Sequence, residues 1–271
     1  MRALLVFVLV VSGCATYSVR RAALVPHLAP TPRNGQPLDG RHEVSIGSST
    51  LVSAHAPGEG DTDAGVEIPR VDLNGALRFR IGADVDLGFV WDQGLEEGAR
   101  GIAQDQPTPD NGDVFGGGFS LQYAAPFPAE PRFRIGMTLD LLYYSVPYVE
   151  YRTCVEGCAP MTTIERGRAG IPVISIGMIP SYRFERWTVY GGLTARNHPT
   201  IERGEIESDL DFDSGSDEVS AGPFNLVASA GVDVPLHRSL RASLQLYQAI
   251  TQTPVAYGPT LAVAVAIPFG F

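Results

Sequence analysis

The sequence predicts an all-β fold: a single antiparallel up-and-down transmembrane β-barrel of about ten strands. Three observations lead there. Gly 30 and Pro 21 in 271 residues, with frequent Ser, Thr and Tyr, favour strands and turns over long helices. From residue 41 onward, large apolar residues recur at every second position in one segment after another. The residues between them are small or charged, so bulky apolar groups share one face of each strand and charges share the other. Small and polar inside with bulky and apolar outside inverts the soluble arrangement and suits a strand that faces lipid.

Composition narrows the class. Hydrophobic residues make up 44% and charged residues 18%, below the roughly 25% charged share of soluble domains. Mean hydropathy is +0.04. After the first dozen residues no apolar run approaches the roughly 18–20 that a membrane helix needs. A formal charge of −10 argues against nucleic acid as a partner. All 20 basic residues are Arg.

The N-terminus carries an address. Met1-Arg2, the apolar stretch Ala3 to Val11 and the small pair Ser12-Gly13 form a secretory signal pattern. Val11-Ser12-Gly13-Cys14 resembles the bacterial lipobox; an ordinary signal with a chance Cys is the other reading. The resemblance implies a signal peptide at 1–13, cut before Cys14, and acyl chains of the palmitate kind on Cys14 as a lipid anchor. Ala15, in place of Asp, looks like the pattern for outer-membrane sorting. Pro26, Pro30, Pro32 and Pro37 make 14–40 a Pro-rich tether, leaving 41–271 for the barrel.

The strands follow in order. A weaker first one runs near His42 to Ala54. Val71, Leu73, Leu77 and Phe79 alternate with Asp72, Asn74, Ala76 and Arg78. After a tight turn, Val85, Leu87, Phe89 and Trp91 alternate with Asp84, Asp86, Gly88 and Val90. Phe115 to Tyr123 and Phe133 to Tyr143 repeat the pattern, the latter with Arg134 and Asp140 on the small face. Ile174, Ile176, Met178 and Tyr182 precede a turn at Glu185-Arg186, and Trp187, Val189 and Leu193 follow it. Phe224, Leu226, Val232 and Val234 lead to a turn at 236–238, then Leu240, Leu244 and Leu246 face opposite to Arg241, Ser243 and Gln245. The clearest strand is the last, where Leu261, Val263, Val265, Ile267 and Phe269 alternate with Ala262, Ala264, Ala266 and Pro268. A count of eight or twelve strands stays open beside ten.

Connections alternate as well. Those near 80–82, 126–131, 185–186 and 236–238 are short; those near 55–65, 93–111, 152–167 and 198–221 are long. Short turns on one side and long loops on the other match bacterial outer-membrane barrels, with the short side periplasmic. Both chain ends are then expected on the periplasmic side, beside a lipid anchor there. Energetics fixes the register: a one-residue slip at Val85–Trp91 would push Asp84 and Asp86 into lipid, at up to a few kcal/mol per charge. An open edge in hydrocarbon would leave backbone groups unpaired, so the sheet must close.

Over roughly residues 41–271 the chain resembles small outer-membrane β-barrel proteins of Gram-negative bacteria, with no subfamily motif. Trp91, Trp187, Tyr182, Phe184 and Phe269 fall near strand ends, as interfacial girdles do. Phe271 looks like the terminal aromatic signal read by the barrel-insertion machinery. The resemblance implies outer-membrane lipid and lipopolysaccharide as surroundings. A soluble, lipid-tethered barrel of lipocalin type is the alternative, and it needs the bulky face inward.

The inward face is expected to carry a charge network of Asp72, Arg78, Asp84, Asp86, Arg134, Asp140, Arg196, Asp233 and Arg241. Opposite charges across a lumen of about ten strands would pair and fill it; a selective pore lined by them is the sharper alternative. Enzyme chemistry finds no support. Asp84 and Asp86 have the spacing of an omptin acidic pair, but they follow a short turn and no Asp-x-His occurs. His198 with Thr200 and Glu202 is weak ground for lipid chemistry at an outer rim.

The acidic run from Glu202 to Glu218 fails the EF-hand spacing, with Ser220 where the twelfth-position Glu belongs. It reads as a solvated loop, with divalent cations bridging to lipopolysaccharide phosphates as the second reading. Cys154 and Cys158 form an even pair for a short disulfide once Cys14 is acylated. No metal site and no cofactor follow from the sequence. The expected role is a structural or surface-interaction barrel with a largely filled polar lumen; the alternatives are a narrow channel for small solutes and a barrel enzyme.

Overall fold

Alternation at every second residue closes ten strands into one antiparallel barrel. The computed structural model describes residues 17–29, 31–52, 54–55, 65–97, 100–101, 107–154, 162–202, 217–237, 239–251 and 256–270. The stretch expected as a signal peptide, Cys14, Cys158, the acidic residues 205–213 and Phe271 lie outside them, and so does the side chain of Cys154.

The strands are β1 (Tyr17–Leu24), β2 (His42–Leu51), β3 (Ala54–His55), β4 (Val66–Ile68), β5 (Val71–Arg80) and β6 (Val85–Gly94). They continue as β7 (Arg100–Gly101), β8 (Val114–Pro126), β9 (Phe133–Cys154), β10 (Thr162–Arg183) and β11 (Thr188–Glu202). The last four are β12 (Glu218–His237), β13 (Leu240–Ala249), β14 (Ala256–Tyr257) and β15 (Thr260–Phe269). The wall runs β2-β5-β6-β8-β9-β10-β11-β12-β13-β15, and β15 pairs back onto β2 from Thr260↔Leu51 to Phe269↔His42. Every neighbouring pair in the wall is antiparallel.

The predicted register holds. Along β15 burial alternates without a break, with Leu261, Val263, Val265, Ile267 and Phe269 outward. Ile46, Phe119, Tyr143, Ile176 and Phe224 are 63%, 62%, 61%, 54% and 54% exposed on five different strands, so the apolar band runs around the barrel. An apolar depression of about 500 Å³, lined by Ile46, Val234, Leu244, Val263 and Val265 among others, also opens on this outer wall. Trp91 lies over Gly75 of the neighbouring strand, where an added Cβ would sit 2.4 Å from the indole nitrogen. Phe184 and Trp187 stack at 4.4 Å beside the turn between β10 and β11.

Two expectations change. Segments read as parts of long loops are strand: β9 and β10 are each 22 residues long and pair from Tyr182↔Phe133 up to Thr162↔Arg152. Likewise β11 reaches Glu202 and β12 begins at Glu218, paired to each other. These extensions rise past the apolar band, where Arg166 and Arg168 face outward and are exposed.

The second change concerns the N-terminus. β1 lies at the long-loop end, antiparallel to the extension of β9 from Tyr17↔Cys154 to Ala23↔Tyr148, and parallel to β4. The chain then passes through the barrel to reach β2, whose His42 pairs with Phe269 at the short-turn end. The described N-terminal residues and the C-terminal strand end therefore stand at opposite ends, not together. The stretch expected as a Pro-rich tether is extended, but it is inside the barrel: Val25, His27, Leu28, Arg33, Asn34, Gln36 and Leu38 are all buried.

Candidate functional site

The described residues of 25–40 form no strand, so their backbone groups need partners from elsewhere. Pro26, Pro32 and Pro37 carry no N–H and hold the chain extended, which removes three donors from that problem. The inward side chains of the wall satisfy much of the rest. Going down from the long-loop end, His198 Nε2 donates to the Pro26 carbonyl at 2.7 Å and the His27 N–H donates to Asp72 Oδ2 at 3.1 Å. Arg196 donates to the Ala29 carbonyl at 3.2 Å and Gln122 to the Gln36 carbonyl at 2.9 Å. The Leu38 N–H reaches Asp86 Oδ2 at 3.3 Å.

The side chains of the segment add charge pairing. Arg33 donates to Asp140 Oδ2 at 2.7 Å and also to the Ser120 hydroxyl. Asn34 donates to Asp233, and its own Oδ1 accepts from the Gln36 N–H at 2.9 Å. Gln36 donates to Ser181 Oγ at 2.9 Å. Asp39, at the short-turn end, pairs with Arg183 at 2.9 Å and Arg241 at 3.0 Å. Between these polar ties, Gly35 lies directly on Gly136 of β9, where any side chain would block the approach.

Placement of the nine predicted lumen charges is now plain. Asp72, Asp86, Asp140, Arg196 and Asp233 each contact the threaded segment, and Arg241 reaches Asp39. Arg78 bridges Glu43 at 3.3 Å and Asp86 at 3.4 Å. Arg134 pairs with Asp84 at 3.0 Å, part-buried near the short turn between β5 and β6. The pairing is thus mostly wall-to-segment where the sequence suggested wall-to-wall. Higher up, Tyr144 donates to Asp92 at 2.7 Å and accepts from Arg196 at 2.7 Å, so its one hydroxyl links an acid and a cation.

Reading the sequence missed His27, Arg33, Asp39, Glu43, Asp92 and Tyr144. One signal for them existed. The inward faces hold Glu43, Asp72, Asp84, Asp86, Asp92, Asp140 and Asp233 against Arg78, Arg134, Arg196 and Arg241, an excess of acid that calls for a further cation. Arg33 supplies it.

The residues weighed for catalysis are engaged in the lumen. His198 is 5% exposed and tied to the threaded segment. Asp84 and Asp86 are engaged by Arg134 and Arg78. Among the described residues no three His, Cys, Asp or Glu gather as a metal site. At the long-loop end, Glu67 of β4 is buried, and burial pushes its carboxyl up to about 7 against a hydrogen bond with Thr108 that lowers it.

No family model matches the sequence, and no curated protein matches it. Among solved structures, the translocator domain of autotransporter NalP from Neisseria meningitidis is similar at 13% identity, covering 86% of this chain and 91% of that one, with a TM-score of 0.43. An outer-membrane channel from Pseudomonas putida F1 is also similar at 13% identity, covering 89% of this chain and 100% of that one, with a TM-score of 0.43. LpxR from Salmonella typhimurium shares 7% identity over 84% of this chain and 100% of that one, with a TM-score of 0.40. Likeness at this level assigns no activity to the chain.

Proposed function

We propose that the protein is a self-plugged β-barrel of the Gram-negative outer membrane with a structural or surface-interaction role. The exposed apolar band supports the membrane: a water-soluble barrel would leave Ile46, Phe119, Tyr143, Ile176 and Phe224 in solvent, a far larger apolar surface than soluble monomers tolerate. A lipocalin-like cavity is disfavoured by the same face pattern and by the chain that already occupies the interior. The short-turn end is periplasmic in this reading and the extended strands β9 to β12 stand outside.

One observation carries the functional reading. The segment 25–40 is held along the length of the lumen by charge pairs, with Arg33 on Asp140 buried at its middle and exposed Asp39 on Arg241 at its foot. A chain fixed in this way stops solute flow, so the open loops and strand extensions remain as the working surface. The test is liposome swelling. Vesicles holding the folded full chain should stay impermeable to arabinose and glucose; swelling at rates typical of a general porin would favour the solute-channel reading instead.

A further inference from the structure

The barrel's plug is also its N-terminus, and that has a topological consequence that rests on the membrane reading. β1 is built into the long-loop end by several independent ties. It makes a seven-residue ladder with β9. It pairs with β4, and the left-handed Gly65 (φ 58°) before β4 fits where an added Cβ would strike the Arg21 carbonyl at 2.3 Å. Arg21 pairs with Glu150 at 2.9 Å and sits over the Tyr148 ring at 4.9 Å. Arg20 reaches Asp217 at 3.5 Å, and the Arg21 N–H donates to the same carboxylate at 3.0 Å. Ala22, Ala23 and Leu24 are buried beneath these contacts.

We propose that residues 17–40 are a resident transmembrane segment, which crosses the membrane inside its own barrel and displays the N-terminus of the processed chain on the outer face. The ten wall strands alone would return both ends to the periplasm. The extra crossing makes the number of passes odd, so the N-terminus and Phe269 are on opposite sides. Reach makes this binding on Cys14 too. It lies three positions before Tyr17, about 10 Å of extended chain, whereas the hydrocarbon band of such barrels is roughly 25 Å tall. An acyl group on Cys14 therefore cannot reach the periplasmic side while β1 is paired.

The test uses the full chain in intact Gram-negative cells, with one short epitope inserted in turn after Thr16, in the long connection after Ala103, or in the short turn after Gly82. Each variant must first show the faster-migrating unboiled gel band of a folded barrel. Antibody added to intact cells should bind the first two and reach the third only after permeabilisation. An epitope after Thr16 that needs permeabilisation, beside one after Ala103 that does not, overturns the threading and leaves the membrane reading intact. If neither is reached on intact cells, both readings fall.

Discussion

Gly35 of the threaded segment and Gly136 of β9 meet backbone against backbone. A Cβ added at Gly136 would lie 2.5 Å from the Gly35 Cα, and one added at Gly35 would lie 2.0 Å from the Ile179 carbonyl oxygen. Neither neighbour is a flexible side-chain tip, so relief requires moving the whole segment. Gly136→Val should lower stability by about 1–3 kcal/mol, the usual cost of overpacking. It should also make vesicles leaky, which a liposome-swelling assay reads directly. A variant that is destabilised yet still impermeable would show that the segment tolerates displacement without opening the lumen.

Arg33 and Asp140 are 107 residues apart in sequence and 2.7 Å apart in the lumen, both buried. Removing one partner leaves the other charged without compensation. Arg33→Met should cost about 3–5 kcal/mol, while Arg33→Met combined with Asp140→Asn should cost much less than the two single changes summed. Urea unfolding of vesicle-inserted protein, run as a double-mutant cycle, measures the difference.

The outward face makes an independent prediction. Ile176→Arg places a charge in the exposed apolar band and should cost about 2–4 kcal/mol if that band sits near the bilayer midplane. Arg166→Ala, on the strand extension and paired with exposed Asp110 at 2.6 Å, should change stability by less than about 1 kcal/mol. Equal effects from the two would place the membrane elsewhere on the wall.

Glu67 gives the long-loop end a pH dependence. Its carboxyl is raised from 4.5 to about 7 by burial, so the folded state holds the proton more tightly than the unfolded chain does. Its contribution is most favourable below about pH 4.5, declines as pH rises toward 7, and stays at its low value above that. Glu67→Gln should therefore raise the unfolding midpoint by about 2–4 °C at pH 8 and leave it unchanged at pH 4. Heat-shifted gel mobility at the two pH values checks the sign.

How much of this was legible in the sequence depended on where the outward face meets lipid. Inside the band, period two is strict because each outward residue must be apolar, and β15 reads without ambiguity. Beyond the band the outward face meets water, so Arg166 and Arg168 look like loop residues although they continue β10. Residues 25–40 carry no period at all, since most of their partners are distant: Asn34 meets Asp233 across 199 positions. Their prolines suit an external spacer as well as a chain inside a polar tube. Only the surplus of inward carboxylates pointed to a missing cation.

Single-channel recording compares the full chain with a chain that begins at residue 41, both folded into planar bilayers. The full chain should be silent, and the shortened barrel should give discrete conductance steps, because removing the segment takes Arg33, Gln36 and Leu38 out of the lumen. Discrete steps of equal size from both would contradict the account, since the N-terminal segment would then not be what closes the barrel.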